Sequence, residues 1–462
     1  MTDTMQTPKS ILPTTARRIA VVGCGHVGLV MAAGFAELGN HVIGIDKSKA
    51  LIHELNSDII RIKEDGLPEL VAKGLASGRL HFSRSYDDAI PTAEFIFLAV
   101  DTPQTLAGAA DLRNLRAAVR SISANLNGTS PIIVNKSTSP IGTGETIESI
   151  LADALVERGH AARIVSNPEF LRQGFAVYDF FHPDRTVVGS RTRADAEEVA
   201  SLYATLGGTA ILTDVRTAEM IKYVANAFLA TRISYINEVA RLCEAIGVNV
   251  DDVVDGVAED PRIGRQFFKP GIGFGGSCLP KDVAALRYVG ETLGVATPVL
   301  SAVQEVNTAM RTAAVRRLRA RLGTLENRVI GVWGLTFKAN TEDTRDSPAM
   351  DVVALLLNEG ALVQAYDPAV VKDPLLVPER IRALLAPTPL DAARGADGLA
   401  ILTEWPEFAL IDLGAVREEM RGSVLFDGRN VRTQADAEAH GFAYLGVGRT
   451  ATLQRRRRSD HA

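Results

Sequence analysis

The chain of 462 residues has only three cysteines, Cys24, Cys243 and Cys278, widely spaced and with no CxxC pair. That spacing argues against a disulfide framework and a zinc site, and it fits a reducing compartment. An excess of positive charge is also missing: 50 Lys plus Arg stand against 55 Asp plus Glu, a net charge of −5. A general nucleic-acid binder needs a positive field that this balance does not supply. The one basic run, Arg455 to Arg458, lies beside Asp460 in a polar tail and reads as a solvated end. No apolar run reaches the roughly eighteen residues that suggest a membrane span, and the opening "MTDTMQTPKSILPTTA" lacks the apolar core of a signal peptide. These absences predict a cytoplasmic protein with no metal, no membrane and no nucleic-acid partner. With 46% apolar and 23% charged residues the composition is globular, and this length predicts two or three domains.

What is present begins with "RRIAVVGCGHVGLVMAAGFAELGNHVIGID". Ile19 to Val22 form an apolar run suited to a buried parallel strand. Gly23-Cys24-Gly25-His26-Val27-Gly28 then fits GxGxxG, a helical stretch runs to Leu38, and a second strand finishes on Asp46. In that order Gly23 permits a tight turn, Gly25 lets backbone approach a pyrophosphate, and Gly28 lets helix pack on strand. The helix start offers free N–H groups and a positive dipole end to phosphates. A carboxylate at Asp46 suits the ribose hydroxyls of NAD and repels the extra phosphate of NADP, an exclusion that Lys47 slightly weakens. Cys24 reads as a small space-filler. Further strands, "AEFIFLAV", "SPIIVNKST" and "ARIVSNPEF", alternate with helices and leave Thr102, Thr138 and Glu169 at strand ends, where the ligands of a doubly wound sheet bind.

From Thr217 to Ile246 no Gly or Pro interrupts the chain, which predicts one helix of nearly thirty residues closed by Gly247. Such a helix joins domains or packs against a second subunit. It carries Lys222 and Asn226 at i,i+4 on one face, either solvated or part of a half-buried site. After it comes "GFGGSCLPKD". Proline favours a helix's first turn, so a helix should begin around Ser277 to Pro280, with Cys278 at its N-terminus. There the dipole, free N–H groups and Lys281 would activate a thiol, and Asp282 one turn on could orient a water or take a proton. Gly271, Gly273, Gly275 and Gly276 would let backbone amides approach a ligand. The competing reading, a small buried thiol, suits Cys243 better, which lies mid-helix with no basic or glycine context. Cys278 reads as a nucleophile.

The last third repeats the strand-then-glycine order in "NRVIGVWGLTFK", followed by a helix and a strand ending at Asp367, without the full glycine fingerprint. Lys338 there either meets phosphate or is an ordinary loop lysine. The expected fold is α/β: two Rossmann-like doubly wound domains joined by a long central helix. The expected divisions are a flexible leader (1–16), an NAD-binding domain (17–212), a central helical and dimerisation domain with the cysteine loop (213–310), a second nucleotide-binding domain (325–447) and a flexible basic tail (448–462).

The motifs "GCGHVG", "KSTSPIGT", "NPEFLRQG", "EMIKYVANAFLATRISYINEVA", "GFGGSCLPKD", "GLTFKANTEDTRDSP", "TEW" and "FDGRN" together resemble the UDP-glucose/GDP-mannose dehydrogenase family over about residues 17 to 447, leaning to its UDP-glucose 6-dehydrogenase branch. The resemblance implies a four-electron oxidation of a sugar CH₂OH to a carboxylate with two NAD⁺. Cys278 would hold the aldehyde as a thiohemiacetal and then a thioester, and Lys222 and Asn226 would stabilise the oxyanion. Asp282 and Thr138 would hold a water, and Glu169 would position the hydrolytic water. It further implies cofactor contacts at Gly23, Gly25, His26, Val27, Gly28, Asp46, Lys47, Thr102, Thr138, Lys281 and Arg345. Substrate contacts would fall at Glu169, Phe170, Leu171, Lys222, Asn226, Phe267, Lys269, Gly275, Lys338 and Arg429. Arg262 would reach the substrate from a neighbouring subunit, implying a homodimer or larger assembly. Two positions depart from the pattern: Gln173 where relatives often carry an acid, and Asp101 where they often carry glycine. GDP-mannose and UDP-N-acetylhexosamine are the alternative substrates. A two-electron β-hydroxyacid dehydrogenase, which needs no thiol, and a non-catalytic nucleotide-sugar sensor are the alternative classes.

Overall fold

The computed structural model describes residues 16–105, 108–126, 130–156 and 162–449. Residues 1–15 of the expected leader and the basic run Arg455 to Arg458 lie outside the described residues. Two compact units divide between Ala225 and Asn226.

The first unit is built on eight strands: β1 (Arg18–Val22), β2 (His41–Ile45), β3 (Leu80–Ser83), β4 (Phe95–Leu98), β5 (Ile132–Asn135), β6 (Arg163–Ser166), β7 (Arg185–Ser190) and β8 (Thr209–Thr213). Their order is β3-β2-β1-β4-β5-β6-β7-β8, parallel throughout except where β6 meets β7. The order reverses between β1 and β4, which is where a doubly wound sheet opens a crevice at its carboxyl edge. Helices cover both faces, so β4 and β5 are buried along their whole length, β4 as an unbroken apolar run and β5 as one that breaks only at its last residue, Asn135. One face is dominated by aromatics, with Phe35 against Phe97, Phe180 and Tyr203 at ring separations of 5.2, 5.4 and 5.3 Å. The other face holds Ile96, Leu98, Leu115, Val119 and Ile122.

The second unit has five parallel strands, β9 (Val329–Trp333), β10 (Leu362–Tyr366), β11 (Gly398–Ile401), β12 (Val424–Asp427) and β13 (Ala443–Gly446), in the order β10-β9-β11-β12-β13. Trp333 stacks on Phe408 on one side, while Leu318, Val352, Val353 and Leu356 fill the other. The uninterrupted segment forms a helix of 32 residues, Val215–Ile246, beginning in the first unit and ending in the second. Both sheets and this helix agree with the expected fold class.

Several elements were absent from the sequence reading. β3 has only four residues, and runs such as "RTVVGS" and "TAILT" carry too little periodicity to stand out. A helix of 25 residues, Pro298–Leu322, was also missed. Its signals were in place, with Pro298 in the first turn and Gly323 at a φ of +83° just beyond the end.

Candidate active site

In the first unit, each fingerprint glycine has a distinct reason. Gly23 has φ +98°, donates its N–H to Ile45 O at 2.8 Å, and a Cβ there would stand 2.4 Å from Ala99 O. A Cβ on Gly28 would stand 1.8 Å from Gly23 O, so only glycine lets this helix close on its strand. A Cβ on Gly25 would meet no protein atom within 4 Å. Among the described residues nothing demands glycine at Gly25, whereas a pyrophosphate crossing that backbone would. The helix it opens, His26–Glu37, has no side-chain cap and no acidic residue in its first turn, which leaves its N–H groups and positive end for an anion. These features fit a bound dinucleotide.

Around this turn, Asp46 accepts from Cys24 N at 3.0 Å and Ser48 N at 2.9 Å, and it stays half-buried, with acceptor capacity left for ribose hydroxyls. Lys47 is exposed and bonded to Asn114. The Cys24 thiol is sealed inside, and burial followed by the Asp46 charge pushes its pKa far up, as suits a packing residue. His26 Nε2 lies 2.7 Å from Glu64 Oε1, and Glu64 also accepts from Gly174 N and Ala176 N. Glu64 lies in no motif, so sequence reasoning passed over it.

The strand-end residues converge as a doubly wound sheet requires. Thr102 Oγ1 donates to Thr138 O at 2.5 Å, joining the loops after β4 and β5. The same β5 loop is gripped further on by Glu219 of the long helix, which accepts from Gly142 N at 2.7 Å and Gly144 N at 2.9 Å. Burial outweighs those two donors and pushes the Glu219 carboxyl up to about 7. One turn later on that helix, Lys222 Nζ meets Glu169 Oε1 at 3.1 Å, with both side chains buried. Glu169 Oε2 accepts from Leu171 N at 2.7 Å. Burial alone would raise the Glu169 carboxyl, but Lys222, the Leu171 N–H and Lys136 together hold it below its ordinary range. Phe170 lies under Arg185 at 4.0 Å and Lys222 at 5.3 Å from its ring centre. Of the two readings the sequence leaves for Lys222, solvated or half-buried, neither reaches the burial found: it is only 4% exposed.

In the second unit, Cys278 is the N-cap of the helix Leu279–Thr292, with Pro280 in its first turn. Of the three cysteines it alone is exposed, its Sγ 3.8 Å from Ser277 Oγ. One turn on, the buried Asp282 carboxylate accepts from Asn226 Nδ2 at 2.6 Å and pairs with Lys281 Nζ at 2.5 Å. The glycines before Cys278 make room for protein. A Cβ on Gly275 would lie 2.1 Å from Asp346 O, one on Gly276 2.7 Å from the Phe337 ring, and one on Gly273 2.5 Å from Asn307 Oδ1. Close packing of the loop on its own unit thus accounts for these glycines, apart from any ligand.

The remaining expected contacts are scattered within this unit. Arg429 is half-buried, donating to Leu402 O, Gly273 O and Phe337 O at 3.0, 2.9 and 3.4 Å, so it staples the cysteine loop to the Lys338 loop. Lys338 Nζ lies 5.6 Å from the Phe337 ring centre. Arg345 pairs with Asp343, and Arg262 pairs with Asp260 of its own turn. Phe267 holds a positive φ of +62°, a strained conformation for a bulky residue, and Lys269 is exposed. In the first unit, Asp101 is exposed beside the buried Thr102.

Comparison with known proteins follows the same lines. Sequence models of the UDP-glucose/GDP-mannose dehydrogenase family match the chain in three stretches: its NAD binding domain over residues 17–207, its central domain over 216–309 and its UDP binding domain over 331–434. The chain is 41% identical over 437 residues to the UDP-glucose 6-dehydrogenase TuaD of Bacillus subtilis, covering 94% of each. It is 40% identical to a UDP-glucose 6-dehydrogenase of Rhizobium meliloti, covering 94% of this chain and 99% of the relative. Among solved structures, a UDP-glucose dehydrogenase from Pyrobaculum islandicum superposes with a TM-score of 0.86 at 38% identity, over 95% of this chain and 99% of that one. A UDP-D-ManNAc dehydrogenase from Pyrococcus horikoshii gives 0.83 at 28% identity, over 94% and 99%. No helix among the described residues is long and apolar enough to cross a membrane. With a dinucleotide turn of this geometry and matches along nearly its whole length, the chain belongs to the UDP-glucose/GDP-mannose dehydrogenase family and is an NAD-dependent oxidoreductase acting in nucleotide-sugar metabolism.

Proposed function

We propose that the protein oxidises C6 of UDP-glucose from alcohol to carboxylate, giving UDP-glucuronate through a covalent intermediate on Cys278. The observation that carries this reading is the single exposed thiol at a helix N-terminus, one turn from a buried carboxylate bonded to Asn226 and Lys281. NAD⁺, when bound, accepts one hydride in each of the two oxidation steps. Cys278 adds to the aldehyde carbon and its proton passes to the aldehyde oxygen, which gives the thiohemiacetal. Loss of the second hydride from carbon and of the hydroxyl proton leaves a thioester, which water cleaves to the acid and the thiol. Lys222 and Asn226 stabilise negative charge on the substrate oxygen, an effect that is largest where water is excluded. Asp282 and Thr138 hold the water that carries protons away, and Glu169 orients the water that cleaves the thioester. Gly23, Gly25, Gly28 and Asp46 hold the dinucleotide, with His26, Val27, Lys47, Thr102, Lys281 and Arg345 around it. Phe170, Leu171, Phe267, Lys269, Gly275, Lys338 and Arg429 shape the nucleotide-sugar site.

The protein acts in the cytoplasm, in three functional parts near 17–212, 213–310 and 325–447, and as a dimer or larger assembly. An exposed apolar stripe along the long helix, Met220, Val224, Phe228, Tyr235, Leu242 and Ile246, supports the dimer, because monomers rarely leave such a stripe open. Arg262 then serves the neighbouring subunit's substrate.

The test is NADH counted against sugar. Two NADH per UDP-glucose are expected; one points to a two-electron hydroxyacid chemistry, and none to a sensor. Cys278→Ser should cut acid formation by roughly a thousandfold or more. Full conversion by that variant would rule out the thioester. Because solved relatives include enzymes named for UDP-ManNAc and for GDP-mannose, both nucleotide sugars belong in the same assay.

A further inference from the structure

One buried charge in the first unit has no part in this mechanism. Lys136 follows β5 directly and is buried, yet among the described residues no carboxylate forms a salt bridge with it. Its ammonium donates to Asn167 Oδ1 at 3.0 Å, lies 3.5 Å from the Tyr203 hydroxyl, and sits 5.4 Å from the centre of that ring. The Asn167 amide is fixed on all sides: Tyr203 also donates to its Oδ1 at 2.8 Å, and its Nδ2 donates to Val187 O at 2.7 Å. Asn167 stands two residues before Glu169, and Lys136 stands two residues before Thr138. One hydrogen bond thus ties the loop after β6 to the loop after β5. A buried ammonium on neutral partners is costly, so a fold free to replace it with an apolar side chain would gain stability.

The ionisable groups facing Lys136 are Glu169 from the β6 loop, Lys222 from the long helix and Tyr203 from the segment after the helix Arg193–Ser201. Burial pushes the ammonium down to about 7, with Glu169 opposing and Lys222 reinforcing the fall. Below that pH it is charged and joins Lys222 in holding the Glu169 carboxyl ionised.

We propose that Lys136 is a positioning residue, which through Asn167 fixes the Glu169 loop in register with the Thr138 loop and adds a second cation to the Lys222–Glu169 pair. The inference rests on the reading that Glu169 and Thr138 serve the reaction. Lys136→Met keeps the length of the side chain and removes the charge. It should lower kcat by about tenfold or more, a loss typical of residues that orient catalytic groups, with KM for NAD⁺ and UDP-glucose within about threefold of wild type. Losing one cation should also move the acid limb of the kcat–pH profile to higher pH. The melting temperature should not fall. A kcat within about twofold of wild type overturns the proposal, and so does a kcat that falls together with the melting temperature while the pH profile stays put.

Should Lys136→Met fail to fold, Tyr203→Phe keeps the ring and removes only the hydroxyl on Asn167. A kcat lowered a few-fold supports the tie, and an unchanged one overturns it. A readout without turnover separates this inference from the proposed function. The carboxyl ¹³C resonance of Glu169, assigned by its loss in Glu169→Gln, should titrate at higher pH in Lys136→Met than in wild type. An unmoved titration overturns the role of Lys136. A moved titration in a protein that makes no NADH from any nucleotide sugar overturns the proposed function and leaves Lys136 in place.

Discussion

The two sheets open with nearly the same turn and put it to different uses. Gly23 after β1 and Gly334 after β9 have φ of +98° and +97°, and their N–H groups donate to Ile45 O and Tyr366 O at 2.8 and 2.7 Å. In each, a carboxylate ending the next strand reaches back to the residue after the glycine: Asp46 to Cys24 N at 3.0 Å, Asp367 to Leu335 N at 2.8 Å. There the likeness stops. Asp46 is half-buried with two backbone donors. Asp367 is fully buried, and its oxygens also take Thr336 N, the Thr336 hydroxyl, Trp405 Nε1, Ala369 N and Val370 N. A carboxylate offers about four lone-pair sites, so Asp367 has none left for a ribose. The same backbone device leaves acceptor capacity for a ribose in one sheet and is a structural strut in the other, and what distinguishes them is how many donors the protein itself brings. Glu219 combines the two, buried like Asp367 but given only two backbone donors like Asp46.

That gradient can be broken by mutation. Asp367→Ala strands several buried donors at once, each costing about 1–3 kcal/mol, so urea unfolding should show a loss of about 4 kcal/mol or more. A loss below about 1 kcal/mol would make Asp367 no strut. Glu219 should show itself in pH dependence. Its carboxyl is raised to about 7 in the fold, so between about 4.5 and 7 the native state binds more protons than the unfolded chain. Stability is therefore greatest below that window and falls as pH rises through it, by on the order of 3 kcal/mol. Unfolding at pH 5 and 7.5 should reveal the drop in wild type, and Glu219→Gln should flatten it. Asp46→Ala should cost least in stability, about 1 kcal/mol or less, while raising KM for NAD⁺ by about tenfold or more. If instead it unfolds the protein and leaves KM alone, the contrast with Asp367 fails.

Much of this was legible in the sequence because the features are local. The glycine turn, the long helix and the cysteine at a proline-marked helix start depend on residues within one or two turns of each other, and Asp46 stands at the end of the strand that follows the turn's helix. What escaped depends on partners far along the chain. Glu64 meets Gly174 and Ala176, Glu219 meets Gly142 and Gly144, and Lys136 meets Asn167 and Tyr203, and no short motif contains both members of any such set. Arg429 and the loop glycines are subtler. Their residue types point to a ligand, while their hydrogen bonds and close approaches are to backbone that only the folded unit brings near.

The contrast among the three sulfurs has a practical side. With Cys24 and Cys243 sealed and Cys278 open, a maleimide should consume one equivalent on the native protein and three once it is denatured. The ratio of the two makes the protein its own gauge of how much of a preparation is properly folded, before any substrate is added.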